Sequence, residues 1–197
     1  MTELVVALDV ESGDAAERLL DRLPGARWVK VGSVIMGREG PPLVRRLAAR
    51  GLSVFLDLKW HDIPNTVAGA VSAARDAGAA MATVHSLGGT AMMEAAARAA
   101  GDVAIVGVTV LTSHDAPGYD RALGRTGTAL DREVVRLARA AMGAGLAGIV
   151  CSPRELPAVR EVVGAGGRLV VPGIRRGGDS AGDQARTAAP GEAAALG

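Results

Sequence analysis

Short apolar runs alternate with longer stretches of helical period along almost the whole chain, beginning with Leu4 to Leu8 and then Asp14 to Leu23. Period-two or continuous apolar runs of this length read as strands, and the 3.6-residue stretches between them read as amphipathic helices. Further strands are expected at Trp28 to Val31, Ser53 to Leu56, Met81 to Val84, Val103 to Val108, Gly148 to Val150 and Arg168 to Val171. Helices are expected near Pro41 to Arg50, Thr66 to Ala77, Thr90 to Ala99, Ala129 to Gly143 and Pro153 to Val163, with another opening over Pro190 to Leu196. Such alternation implies parallel strands joined by crossover helices, hence an α/β barrel or an open doubly wound sheet.

The position of the polar residues favours the barrel. Asp9, Lys30, Asp57, His85, Thr109 and Pro172 stand at or just past the C-terminal ends of successive runs, where a barrel gathers its active site. In an open sheet they would be spread along an edge except near a switch point. No Gly-x-Gly-x-x-Gly follows the first strand, which weakens a dinucleotide-binding reading. The predicted fold is a TIM-type (β/α)8 barrel with seven visible strands and the eighth missing. With 197 residues, residues 1–197 suit one domain with a real core, C-terminally incomplete.

Composition narrows the partners. Lys and Arg total 22 against 21 Asp and Glu, a net charge of +1, so there is no general attraction to nucleic acid or to an anionic membrane. The aromatics are only Trp28, Phe55, Trp60 and Tyr119, too few for the stacking platforms that bind single strands. The chain enters its first strand without a basic segment and long apolar stretch, so no signal peptide or anchor is expected, and the location is expected to be cytoplasmic. A lone Cys151 fits a reducing compartment and a small buried group at a strand end.

The densest chemistry lies in Asp57-Leu58-Lys59-Trp60-His61-Asp62-Ile63-Pro64-Asn65-Thr66. Side chains alternate along a strand, which puts Asp57 and Lys59 on one side. Taken alone, a solvated strand end with Asp62 capping a helix opened by Pro64 is the commoner explanation, since surface ion pairs are frequent and weak. Gathered at one barrel mouth, however, Asp9, Lys30, Asp57 and Lys59 form a set of alternating charge. Opposite charges favour each other's ionised forms, which makes Lys59 a proton donor and not a Schiff-base nucleophile. The same lysines disfavour a divalent cation. A metal built on His85, His114 and carboxylates stays open, although the three histidines lack ligand-like spacing; His61 reads as a hydrogen-bonded structural group. A second constellation, Val171 to Gly178 followed by Gly182-Asp183-Gln184, joins glycines to Arg175 and could hold phosphate. A solvated Gly-rich loop explains it equally well.

Together these segments resemble orotidine 5'-phosphate decarboxylase of the shorter, bacterial type. They are Leu8-Asp9-Val10, Val29-Lys30-Val31-Gly32, the run Asp57 to Thr66, Val110-Leu111-Thr112-Ser113, and Pro172-Gly173-Ile174-Arg175 with Asp183-Gln184. The Asp-x-Lys-x-x-Asp core is shared with sugar-phosphate decarboxylases and aldolases of the same suprafamily; its extension through Thr66 is more specific. The resemblance implies cofactor-free decarboxylation of orotidine 5'-phosphate to uridine 5'-phosphate in pyrimidine synthesis, without a metal. It makes Lys59 the donor to the C6 carbanion, Asp57 the neighbour of the departing carboxylate, Lys30 the group orienting Asp57 and ribose, and Asp9 a contact of a ribose hydroxyl. Thr112 falls near the base, and Arg175 and Gln184 in the phosphate-closing segment. Asp62, with a catalytic part, and Thr66 would act across the interface of a homodimer with composite sites, and Ile63, a further substrate-binding residue, would be exposed on one protomer. Relatives continue into a last strand and a Gly-Arg pair, whereas this chain ends at Gly197, so truncation is the favoured explanation. A sugar-phosphate enzyme of the suprafamily and a non-catalytic phosphate-binding remnant are the alternative readings.

Overall fold

The computed structural model describes residues 2–174 and 189–196. Among them are seven strands: β1 (Val5–Ala7), β2 (Trp28–Gly32), β3 (Ser53–Trp60), β4 (Ala79–His85), β5 (Ala104–Val108), β6 (Gly148–Val150) and β7 (Arg168–Val170). Every neighbouring pair is parallel and the order across the sheet is β1 through β7 without reversal. A doubly wound sheet must reverse its strand order where its two halves meet, so this sequential order is that of a (β/α) barrel. Among the described residues β7 does not pair with β1, which leaves a curled, open barrel of TIM type.

The crossovers are α1 (Gly13–Asp21), α2 (Ser33–Glu39), α3 (Pro41–Ala49), α4 (Pro64–Asp76), α5 (Thr90–Ala99), α6 (Ala116–Leu123), α7 (Leu130–Gly143) and α8 (Leu156–Val163), with α9 (Pro190–Leu196) near the end. Their ends carry ordinary signals. Ser12 Oγ accepts from the Ala15 N–H at 3.2 Å to cap α1, and prolines sit in the first turns of α3 and α4, where a missing N–H costs nothing. Gly40, at φ 65°, lets the chain turn from α2 into α3.

Strand alternation divides the core into two layers. Val29, Val31, Val54, Leu56, Ala82 and Ile149 face outward and pack with helix residues such as Leu20, Leu47, Val71, Met93, Leu137 and Val159. Phe55, Met81, Val106, Val108 and Val150 face inward, with Val5, Trp28, Leu111 and Val170 against them. The Arg168 guanidinium lies over the Trp28 ring, 5.9 Å from its centroid. The two residues begin β7 and β2, so this contact links the N-terminal ends of those two strands.

Several expectations need correction. Helices α2 and α6 were not foreseen. The third strand runs on past Leu56 through the charged residues to Trp60. Thr109 stands just past β5 as expected, but it is fully buried and its hydroxyl donates to the Val150 carbonyl at 3.0 Å, tying β5 to β6.

Candidate active site

The inward register places the chemistry. Trp28 faces the interior, and two residues on so does Lys30; Phe55 does, and so does Asp57; Met81 does, and Thr83 and His85 follow on the same side. Of these, Lys30, Asp57, Thr83 and His85 lie from the middle of their strands to the C-terminal ends. There the charges alternate as a continuous set. Lys30 Nζ lies 3.1 Å from Asp9 Oδ1 and 4.0 Å from Asp57 Oδ2, and Lys59 Nζ donates to Asp57 Oδ1 at 2.8 Å. The Asp57 side chain is 17% exposed and that of Lys59 39%. Pairs this accessible add little stability; they fix where two ammonium groups sit at the mouth.

Regular alternation does not by itself bring Asp57 and Lys59 together. Strands β3 and β4 are in register at Leu56 with Ala82 and again at Trp60 with Val84, so β3 spends two extra residues between them. Lys59 sits in this irregularity at φ 51°, and among the described residues it is the only non-glycine with positive φ. Left-handed backbone costs an ordinary residue about 1–2 kcal/mol, and such outliers concentrate at functional sites. The bulge turns the Lys59 side chain onto Asp57.

Two histidines cover this bend. His61, exposed just past β3, stacks on His85 with ring centroids 5.6 Å apart and an interplanar angle of 20°; among the described residues its side chain has this stack and no hydrogen bond, where a hydrogen-bonded group was expected. His85 Nδ1 accepts from the Leu87 N–H at 3.3 Å. Burial, followed by the neighbouring His61, Lys59 and His114, pushes the His85 imidazole down to about 4, so it is neutral near pH 7. Among the described residues no group of three or more His, Cys, Asp or Glu side chains is arranged to hold a metal ion. Cys151 is buried just past β6.

The remaining expected site residues fall elsewhere. Asp62 stands outside the charge set, and its Oδ1 accepts from the Ile63 N–H at 2.6 Å just before α4. Ile63 is 66% exposed and Thr66 is exposed on the first turn of α4. Thr112 is half-buried in the turn between β5 and α6. Arg175 and Gln184 lie outside the described residues.

Helix α6, which follows the Thr112 turn, is locked to α7 through one carboxylate. Glu133, 8% exposed, accepts from Tyr119 Oη at 2.9 Å, Arg125 Nη1 at 3.2 Å and both Arg136 Nε and Nη2 at 2.8 Å. The Arg136 fork, then Tyr119 and Arg125, hold this carboxyl down to about 2 against its burial. Burial and the hydrogen bond to Glu133 push the Tyr119 phenol up to about 12.

Sequence reasoning overlooked Thr83. It is fully buried, yet its hydroxyl lies 2.8 Å from the Lys59 nitrogen and 3.2 Å from Asp57 Oδ1. The available signal was a hydroxyl at an inward position of an otherwise apolar strand, two residues before His85.

The family model for orotidine 5'-phosphate decarboxylase / HUMPS matches residues 2–197. Among curated proteins, the orotidine 5'-phosphate decarboxylase of Anaeromyxobacter sp. (strain K) is 51% identical, the alignment covering 98% of this chain and 86% of that protein. The orotidine 5'-phosphate decarboxylase of Halorhodospira halophila is also 51% identical, over 98% of this chain and 84% of its own. The crystal structure of orotidine 5'-phosphate decarboxylase from Lactobacillus acidophilus superposes with a TM-score of 0.84 at 30% identity, covering 100% of this chain and 87% of that one.

Proposed function

The chain belongs to the orotidine 5'-phosphate decarboxylase / HUMPS family, and on that premise we propose that it decarboxylates orotidine 5'-phosphate to uridine 5'-phosphate without a cofactor. The observation that carries this reading is the Lys59 ammonium 2.8 Å from Asp57 Oδ1 at the barrel mouth, with Lys30 on the other carboxylate oxygen at 4.0 Å. When the bond from C6 to the carboxylate breaks, carbon dioxide leaves and the electron pair stays on C6. A fixed cation beside that carbon stabilises the developing charge. Lys59 then gives its proton to C6 and recovers one from solvent.

Asp57 stands next to the departing carboxylate, and its negative charge opposes the ground state more than the product. Lys30 orients Asp57 and contacts ribose, and Asp9 takes a ribose hydroxyl. Thr112 contacts the base, while Arg175 and Gln184 bind phosphate, whose binding energy supports the reaction at the other end of the nucleotide. Residues 1–197 act as one barrel domain that pairs with a second copy. Asp62, Ile63 and Thr66 serve the neighbouring site, in keeping with an exposed Ile63 and with an Asp62 outside its own charge set. Cytoplasmic operation agrees with a single cysteine in the sequence, Cys151, which is buried.

The test is a decarboxylation assay that follows loss of the orotate absorbance, with and without a chelator. Turnover that survives chelation and nearly vanishes in Lys59→Ala supports the reading. Turnover unchanged in Lys59→Ala rejects Lys59 as donor, and activity restricted to sugar phosphates plus a divalent ion assigns the chain to the other branch of its family.

A further inference from the structure

We propose that Thr83 is a positioning residue whose buried hydroxyl sets both the backbone of Lys59 and the carboxylate of Asp57, an inference that rests on the function proposed above. The extra residues of β3 between Leu56 and Trp60 take the Lys59 N–H out of the regular ladder with β4. Thr83 Oγ1 accepts that N–H at 2.8 Å. A hydroxyl has one proton to give, and two acceptors are in reach: Asp57 Oδ1 at 3.2 Å and the Leu56 carbonyl at 3.5 Å. The charged and nearer oxygen takes it.

A closed ring follows. The Lys59 N–H donates to Thr83, Thr83 donates to Asp57 Oδ1, and the Lys59 ammonium donates to that same oxygen at 2.8 Å. The hydroxyl thereby couples the two ends of Lys59 through its carboxylate partner. Thr83 is 0% exposed, so no bulk water replaces the hydroxyl when it is lost. The ring also holds Lys59 at φ 51°, a conformation that persists only where the surroundings enforce it. Neither Thr83 Oγ1 nor its methyl needs to touch the nucleotide for this role.

The decisive comparison is Thr83→Val, which keeps the shape and removes donor and acceptor, against Thr83→Ser, which restores the hydroxyl. In the valine variant kcat falls roughly 10- to 100-fold, the cost of a misplaced catalytic group, while uridine 5'-phosphate affinity by calorimetry stays within about twofold. Serine recovers most of the rate. Equal kcat in wild type and the valine variant overturns the proposal, as does a serine variant no better than valine. If valine does not fold, Thr83→Cys takes its place, keeping size but hydrogen-bonding weakly, and a cysteine variant at the wild-type rate has the same overturning force.

Hydrogen exchange of the Lys59 amide, read by NMR, separates this inference from the function it rests on. A wild-type chain without turnover refutes the proposed reaction. Thr83 is then judged by exchange alone: protection in wild type and serine with loss in valine upholds the positioning role, and identical protection in all three refutes it.

Discussion

Replacing Glu133 with Gln leaves the shape of the α6–α7 lock intact and removes only its charge. The carboxyl falls from 4.5 to about 2 on folding, a difference equivalent to roughly 3 kcal/mol. Its arginine partners are half-exposed, at 50% for Arg125 and 55% for Arg136, and solvent screening reduces that to about 1–2 kcal/mol. For a chain of this size the loss lowers the melting temperature by roughly 3–6 °C at pH 7. Because the folded-state value is depressed, the stabilisation is complete above the unfolded value of about 4.5 and drains away as pH falls toward about 2. Thermal unfolding followed by circular dichroism at pH 7 and near pH 3 therefore shows a wide gap between wild type and Glu133→Gln that narrows in acid. A variant that melts with wild type at pH 7, or a gap equally wide at both values, refutes the assignment of the low value to this ion-paired carboxylate.

Three further outcomes follow from the site. Lys59→Gly unfolds at higher denaturant than Lys59→Ala by roughly 0.5–1 kcal/mol, because glycine accepts positive φ and offsets only part of that through its freer unfolded chain; equal midpoints contradict the strain at Lys59. The His85 ring resonances do not titrate between pH 8 and 5 in an NMR series and move only near pH 4; a midpoint near 6.5 contradicts its buried, neutral state. Ile63→Asp shifts sedimentation to the monomer and lowers turnover with it, whereas a fully active monomer removes Asp62 and Thr66 from any shared site.

The central strands were legible because they bury apolar runs on both faces, as at Val54 to Leu56 and Ile105 to Val108, and the sequential order followed from the regular helical spacers. The set Asp9, Lys30, Asp57 and Lys59 was legible for a related reason: charge at the end of a buried run has no place but a mouth. Helix α2 escaped notice because it spans only seven residues, preceded by Gly32 and interrupted by Gly37. Helix α6 was hidden by Pro117-Gly118, a pair that reads as a turn. In the fold that proline sits in the first turn, and Asp115 Oδ1 accepts the Gly118 N–H at 2.7 Å. The bulge at Lys59 was illegible because a register shift depends on two strands, and one strand's sequence records only its own half. Thr83 was overlooked for the same reason: its partners are 24 and 26 positions away.

The contact between Arg168 and Trp28 turns the barrel into an optical instrument. Trp28 and Trp60 are the only tryptophans; one lies under the Arg168 guanidinium at the start of β2, and the other follows Lys59 directly at the mouth. With Trp60 replaced by Phe, emission reports whether the N-terminal ends of β2 and β7 stay linked. With Trp28 replaced, it reports the bend that carries the proton donor. Two single-tryptophan chains can thus time the closing of the frame and the shaping of the site as separate events during refolding.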